Sequence, residues 1–146
     1  MTPQQIIDAC EAVWVANKSN CSGFVKAVAS SLGVTTFDGG DNADAIVNKL
    51  PAAAGWSQLT DLATVEANAA SGWFIVAGLQ SSGFTPPRNN GHVVVVVQGD
   101  DPNHPGFPMA YWGTLGAVGR ENASIRNAFI PGVDLGNVLY FGILPA

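Results

Sequence analysis

Apolar residues recur at helical spacing through the first half of the chain, then give way to runs that suit strands. The spacing predicts a first helix from Thr2 or Pro3 to Ala16, with proline tolerated in its first turn and Ile6, Cys10, Val13 and Trp14 on its apolar face. A second helix is predicted from Cys21 to Leu32. Asn20 is a favoured N-cap, Phe24, Val25, Val28 and Leu32 form the apolar face, and Gly33 supplies the stop. After the link Asp38-Gly39-Gly40, Asp41 is expected to cap a third helix that carries Ala43, Ile46, Val47 and Leu50 and ends at Pro51. A fourth is expected over Asp61 to Ala70. From Trp73 the pattern predicts strands at Trp73 to Leu79, His92 to Gln98, Phe107 to Trp112 and Val138 to Ile143, separated by loops containing Gly, Pro or Asn. Helices first and strands second give an α+β class with a mostly antiparallel sheet.

A length of 146 residues and 47% hydrophobic content predict one folded domain, 1–146, with a real core. The net charge of −5 and six scattered basic residues, with no basic patch, argue against nucleic acid and anionic membranes as partners. No window approaches the roughly 20 apolar residues of a membrane span, and the first residues carry no signal-peptide pattern. We therefore expect synthesis in the cytoplasm without a leader. The two cysteines form no disulfide framework, and no Cys/His cluster has metal-ligand spacing.

Candidate chemistry lies in two stretches. In Asn20-Cys21-Ser22-Gly23-Phe24-Val25 the thiol falls in the first turn of a helix, where unpaired N–H groups and the helix dipole favour a thiolate. The alternative is that Cys21 is a small buried hydrophobe. Cys10, on an apolar helix face, reads as core filler, and a bridge from it to Cys21 would silence the nucleophile. In Gly91-His92-Val93-Val94-Val95-Val96-Val97, a histidine opens a strand whose five valines require cover on both faces. Together Cys21 and His92 fit the arrangement in which imidazole takes a thiol proton and returns it to a leaving amine.

These two motifs resemble those of the NlpC-type cell-wall cysteine peptidases, a papain-like superfamily, and within it the type VI secretion amidase effector family 1. Supporting stretches are Ile7-Asp8-Ala9-Cys10, Trp14, Trp73 to Leu79, and Gly113 to Gly119. The resemblance implies helices packed on the sheet and a peptidoglycan amidase acting on the stem peptide, at the bond between γ-D-glutamate and meso-diaminopimelate. It assigns Cys21 as nucleophile and His92 as base, then acid, with neither metal nor organic cofactor. It also implies export by the type VI machinery to the periplasm of a target bacterium, and a periplasmic immunity protein that plugs the cleft. The readings kept beside it are a housekeeping NlpC-type peptidase or acyltransferase, and a catalytically silent binding module.

The remaining site residues are less specific. The backbone N–H of Cys21 is the first oxyanion donor, and Asn20 or Ser22 is either a second or a local cap. In the family a polar group on the next strand orients the imidazole, and by spacing that position falls at or near Trp112. An indole donates but does not accept, so either the Trp112 backbone carbonyl holds the ring or the enzyme is a dyad. Asp100, Asp101, Asn103 and His104 read as solvated loop residues at the far end of the strand. Arg88, in the loop leading into His92, is either a receptor for a substrate carboxylate or a solubilising residue.

Overall fold

The computed structural model describes residues 1–146. Four α-helices lie in the sequence: α1 (Pro3–Asn17), α2 (Cys21–Ser31), α3 (Ala43–Lys49) and α4 (Leu62–Ala70). Six strands, β1 (Ser57–Leu59), β2 (Phe74–Leu79), β3 (His92–Asp100), β4 (Pro108–Trp112), β5 (Arg120–Ser124) and β6 (Leu139–Ile143), form one sheet in the order β1-β6-β2-β3-β4-β5. Every pairing is antiparallel, so the class is α+β.

Local chemistry sets the helix starts. Thr2 and Gln5 form a reciprocal capping box on α1, and Asn20 accepts from the Gly23 N–H at 3.0 Å to cap α2. The cap of α3 is Asn42, one residue later than expected, because the Asp41 carboxylate is already held by Lys49 Nζ at 2.5 Å and the Asp38 N–H at 2.8 Å. Two strands also lie outside those expected. β1 has three residues, and β5 reads Arg-Glu-Asn-Ala-Ser; both are sheet edges, where one side meets solvent and no apolar run is needed.

The sheet is covered on both faces, as the valine run requires. Val93, Val95 and Val97 join Phe24, Val25 and Val28 of α2 and Ile46 of α3 in one apolar cluster. Val94 and Val96 face a second cluster with Val65 of α4, Ile125, Phe129 and Tyr140. All five valines are at most 1% exposed, and burying each contributes about 1.5 kcal/mol or more, so β3 is the fixed centre of the molecule. Its first residue, His92, stands where this rigid strand meets the preceding loop.

Two long-range hydrogen bonds tie α1 to β4. Trp14 Nε1 donates to the Trp112 carbonyl at 2.9 Å, and the Tyr111 hydroxyl donates to Glu11 at 2.6 Å. Beyond β4 the chain docks on the α1–α2 turn, where the N–H groups of Thr114 and Gly119 donate to the Lys18 carbonyl at 3.1 and 2.8 Å. Gly113 permits this approach, since a Cβ there would lie 2.1 Å from the Asn17 carbonyl oxygen. The turn that presents Cys21 is therefore held by the sheet as well as by its helices.

Candidate active site

Cys21 is the first residue of α2 and is 7% exposed. The backbone N–H groups of Cys21 itself, of Ser22 and of Val93 on β3 lie close enough to its sulfur to favour the thiolate. The last of these matters most for assembly, because it places the sulfur against the start of the strand that His92 opens. Cys21 and His92 line one cleft of about 320 Å³, together with Arg88, Trp112, Thr114 and Asn127. A second hollow of about 210 Å³ shares Cys21, Asn89, Asn90, Gly91 and Leu115, and extends past Asn20, Ser22, Asn42 and Asp44. Cys21 thus sits at the waist between two depressions, one aromatic and cationic, the other polar.

The electrostatics correct the expectation of a resting thiolate. Burial pushes the Cys21 thiol above its ordinary value, and the three N–H donors pull it back only in part. The N–H groups at the helix start act in the expected direction, and burial outweighs them. His92 is shifted the opposite way, from 6.5 down to about 4, first by burial and then by the Arg88 charge. At neutral pH the pair is a thiol beside a neutral imidazole, which is the protonation state from which a base can take the thiol proton.

Aromatic rings set the orientation of His92. Phe129 lies with its ring centre 5.2 Å from that of the imidazole, and Trp112 meets it edge-on at 6.5 Å and 90°. The Trp112 carbonyl, the candidate for holding the imidazole, already accepts the Trp14 indole N–H. The imidazole makes no hydrogen bond to another side chain, so packing rather than an acceptor fixes the ring. Asn20 Oδ1 accepts the Gly23 N–H and, at 3.2 Å, the Ser22 hydroxyl. The Ser22 hydroxyl proton is thereby committed, which leaves the Asn20 Nδ2 amide and the backbone N–H groups at the helix start as the available oxyanion donors.

Arg88 is present at the cleft rim, but it is not free. Its guanidinium lies 4.1 Å from the centre of the Phe84 ring, and its Nη2 is 4.0 Å from Asp134 Oδ2. Asp134 is fully buried and accepts the Thr85 N–H at 2.9 Å through its other oxygen. Asp44 braces the start of the same loop by accepting the N–H and hydroxyl of Ser81 at 2.8 and 2.5 Å. Sequence reasoning missed both carboxylates. Only their position beside apolar residues, Ala43-Asp44-Ala45 and Val133-Asp134-Leu135, hints that they point inward. Asp101 is a further correction: it is 5% exposed rather than solvated, and it accepts the N–H groups of Asn103 and His104 to close its own turn. His104 remains at the opposite end of β3 from His92.

No family model matches the chain. The chain is 38% identical over 126 residues to peptidoglycan amidase Tse1 of Pseudomonas aeruginosa, a match covering 81% of this chain and 75% of that protein. With that identity and coverage, the chain belongs to the Tse1-like family of amidase effectors, the family its cysteine and histidine motifs resemble.

Proposed function

We propose that this protein is a peptidoglycan amidase that hydrolyses the stem peptide between γ-D-glutamate and meso-diaminopimelate, with Cys21 as nucleophile and His92 as base and then acid. The observation that carries the reading is the shared cleft, which Cys21 at the start of α2 and His92 at the start of β3 line together. The kinship with peptidoglycan amidase Tse1 supplies the substrate class. Papain-like chemistry fits a helix-borne thiol and a strand-borne imidazole drawn from two packed layers.

In this mechanism the peptide lies across the waist at Cys21, with one flanking residue in each hollow. Because the thiol rests protonated, its proton moves to neutral His92 as sulfur attacks the carbonyl carbon. The oxyanion so formed is met by the N–H groups at the start of α2. Collapse breaks the C–N bond, and the imidazolium gives its proton to the departing amine. Water then attacks the thioester with His92 again as base, releasing the carboxylate and the free thiol. Arg88, beside the cleft, is suited to a substrate carboxylate once it tilts away from Asp134.

The same reading makes the protein an antibacterial effector. It is made in the cytoplasm, delivered by the type VI machinery into the periplasm of a target cell, and neutralised in the producer by an immunity protein seated in the cleft. The decisive experiment is digestion of purified peptidoglycan by wild type and Cys21→Ala, with fragments identified by mass. New termini at γ-D-glutamate and diaminopimelate from wild type alone are expected. Intact peptidoglycan, or equal digestion by both, overturns the proposal.

A further inference from the structure

The largest cavity, about 580 Å³, shares no residue with the cleft at Cys21 and His92. Its volume lies in the range of about 300–1,000 Å³ typical of ligand sites. Leu59, Leu135 and Tyr140 form its apolar wall, while Val133 and Leu139 at its border are 44% and 38% exposed. Three features point to what fills it.

One is an unpaired cation. Arg126 borders the cavity with its guanidinium 5.0 Å from the centre of the Phe107 ring, and no carboxylate lies within ion-pair distance of it. Arg88 has Asp134 and Lys49 has Asp38 and Asp41, whereas Arg126 is stacked and unanswered. Asp61 also borders the cavity, but both of its oxygens serve Thr64 at the cap of α4, at 2.8 and 3.0 Å. Another is the Tyr140 hydroxyl, which makes no hydrogen bond to the protein although the residue is only 9% exposed; burial pushes its pKa to about 12, so it remains a donor. The third is β1 itself. It is an edge strand paired only with β6, and its Gln58 and Leu59, with Thr60 just after it, line the cavity together with Leu139 and Tyr140 of β6.

We propose that this cavity is a second binding site, for a short extended peptide that ends in a free carboxylate, lying beside β1 and β6 with small apolar side chains against Leu59 and Leu135 and its carboxylate on Arg126. The fork of a guanidinium matches a carboxylate in two parallel hydrogen bonds, and the Tyr140 hydroxyl is a further donor in the same cavity. The site is independent of which bond is cut at Cys21. The turn at Ile125–Asn127 joins the two regions, since Arg126 borders this cavity while Asn127 lines the catalytic cleft.

The test is an NMR titration of the full chain with N-acetyl-alanyl-alanine and, separately, with its C-terminal amide. The carboxylate probe should shift the methyl signals of Val133 and Leu139 and the amides of Gln58 and Leu59 in a saturable way. The amide probe and the Arg126→Gln variant should each bind about tenfold more weakly. Comparing the two probes on wild type needs no folded variant, and Tyr140→Phe should weaken binding by a smaller factor. Equal affinity for acid and amide, shifts confined to residues around Cys21, or no saturable shift at all would overturn the proposal.

Discussion

Lowering the pH from 7 to about 4.5 should weaken the fold through His92 by an amount that can be isolated. Burial, and then Arg88, lower the folded-state pKa of this histidine from 6.5 to about 4. Above pH 6.5 the ring is neutral in both folded and unfolded chains and contributes no pH dependence. Below it the unfolded chain binds a proton that the folded chain refuses, so stability falls with pH until the folded ring also titrates near pH 4 and the loss levels off. At about pH 4.5 these two values favour the unfolded state by roughly 77-fold, or about 2.5 kcal/mol. Water reaches one side of the half-buried ring and reduces this to about 1.5–2.5 kcal/mol. Urea unfolding followed by tryptophan fluorescence, on wild type and His92→Gln at both pH values, measures it, because the carboxylates common to both proteins cancel in the difference. Wild type should lose about 1.5–2.5 kcal/mol more than the variant. Equal losses, within about 0.5 kcal/mol, would refute the burial argument and with it the resting neutral imidazole.

Other outcomes follow from the same geometry. Iodoacetamide should label Cys21 of the native chain only as the pH rises through the alkaline range, and should leave Cys10, which is wholly buried, untouched until urea is added; fast labelling of Cys21 at pH 6 would show a resting thiolate. Gly113→Ala should cost about 1–3 kcal/mol by melting and at least about tenfold in kcat/KM, because the new Cβ meets the Asn17 carbonyl at 2.1 Å and displaces the turn before Cys21; wild-type values for both would count against the latch. Asp134→Ala should cost about 1–3 kcal/mol by leaving the Thr85 N–H without its acceptor, while Asp134→Asn keeps part of that stability; equal melting of the two variants would deny the hydrogen bond its role. Expression with a Sec signal should lyse Gram-negative cells while Cys21→Ala or unexported wild type should not, and toxicity of either control would remove peptidoglycan as the target.

The long apolar patterns were legible because each buried a whole face. The helix spacing of Phe24, Val25 and Val28 and the valine run of β3 appear in the fold with boundaries within two residues of those expected. Edge strands were invisible for the converse reason: β5 is solvent-facing over Arg120, Glu121 and Asn122, and β1 is too short for alternation to register. At the site, the nearness of Cys21 and His92 was legible because both sit at element boundaries with strong local signals. The fate of the Trp112 carbonyl could not, since its donor, Trp14, lies 98 residues away. Local motif also misjudged the Cys21 thiol, because burial is a property of the packed molecule and it outweighs the backbone donors that the motif predicts.

The bonds from Trp14 to Trp112 and from Glu11 to Tyr111 span 98 and 100 residues, and the sulfur of Cys21 meets a strand that begins 71 residues after it. Contacts of this separation are the last for which loop-closure entropy is met during folding. A growing or threaded chain therefore carries Cys21, the proposed nucleophile, long before it carries the assembled cleft. Until β4 has joined the sheet and its outgoing loop has gripped Lys18, the turn before Cys21 is tied to the sheet only through the packing of α2 on β3. On the proposed mechanism, activity in such a topology is timed by the order in which the chain closes on itself, and a fragment ending before β4 would hold both chemical groups without the latch at Lys18.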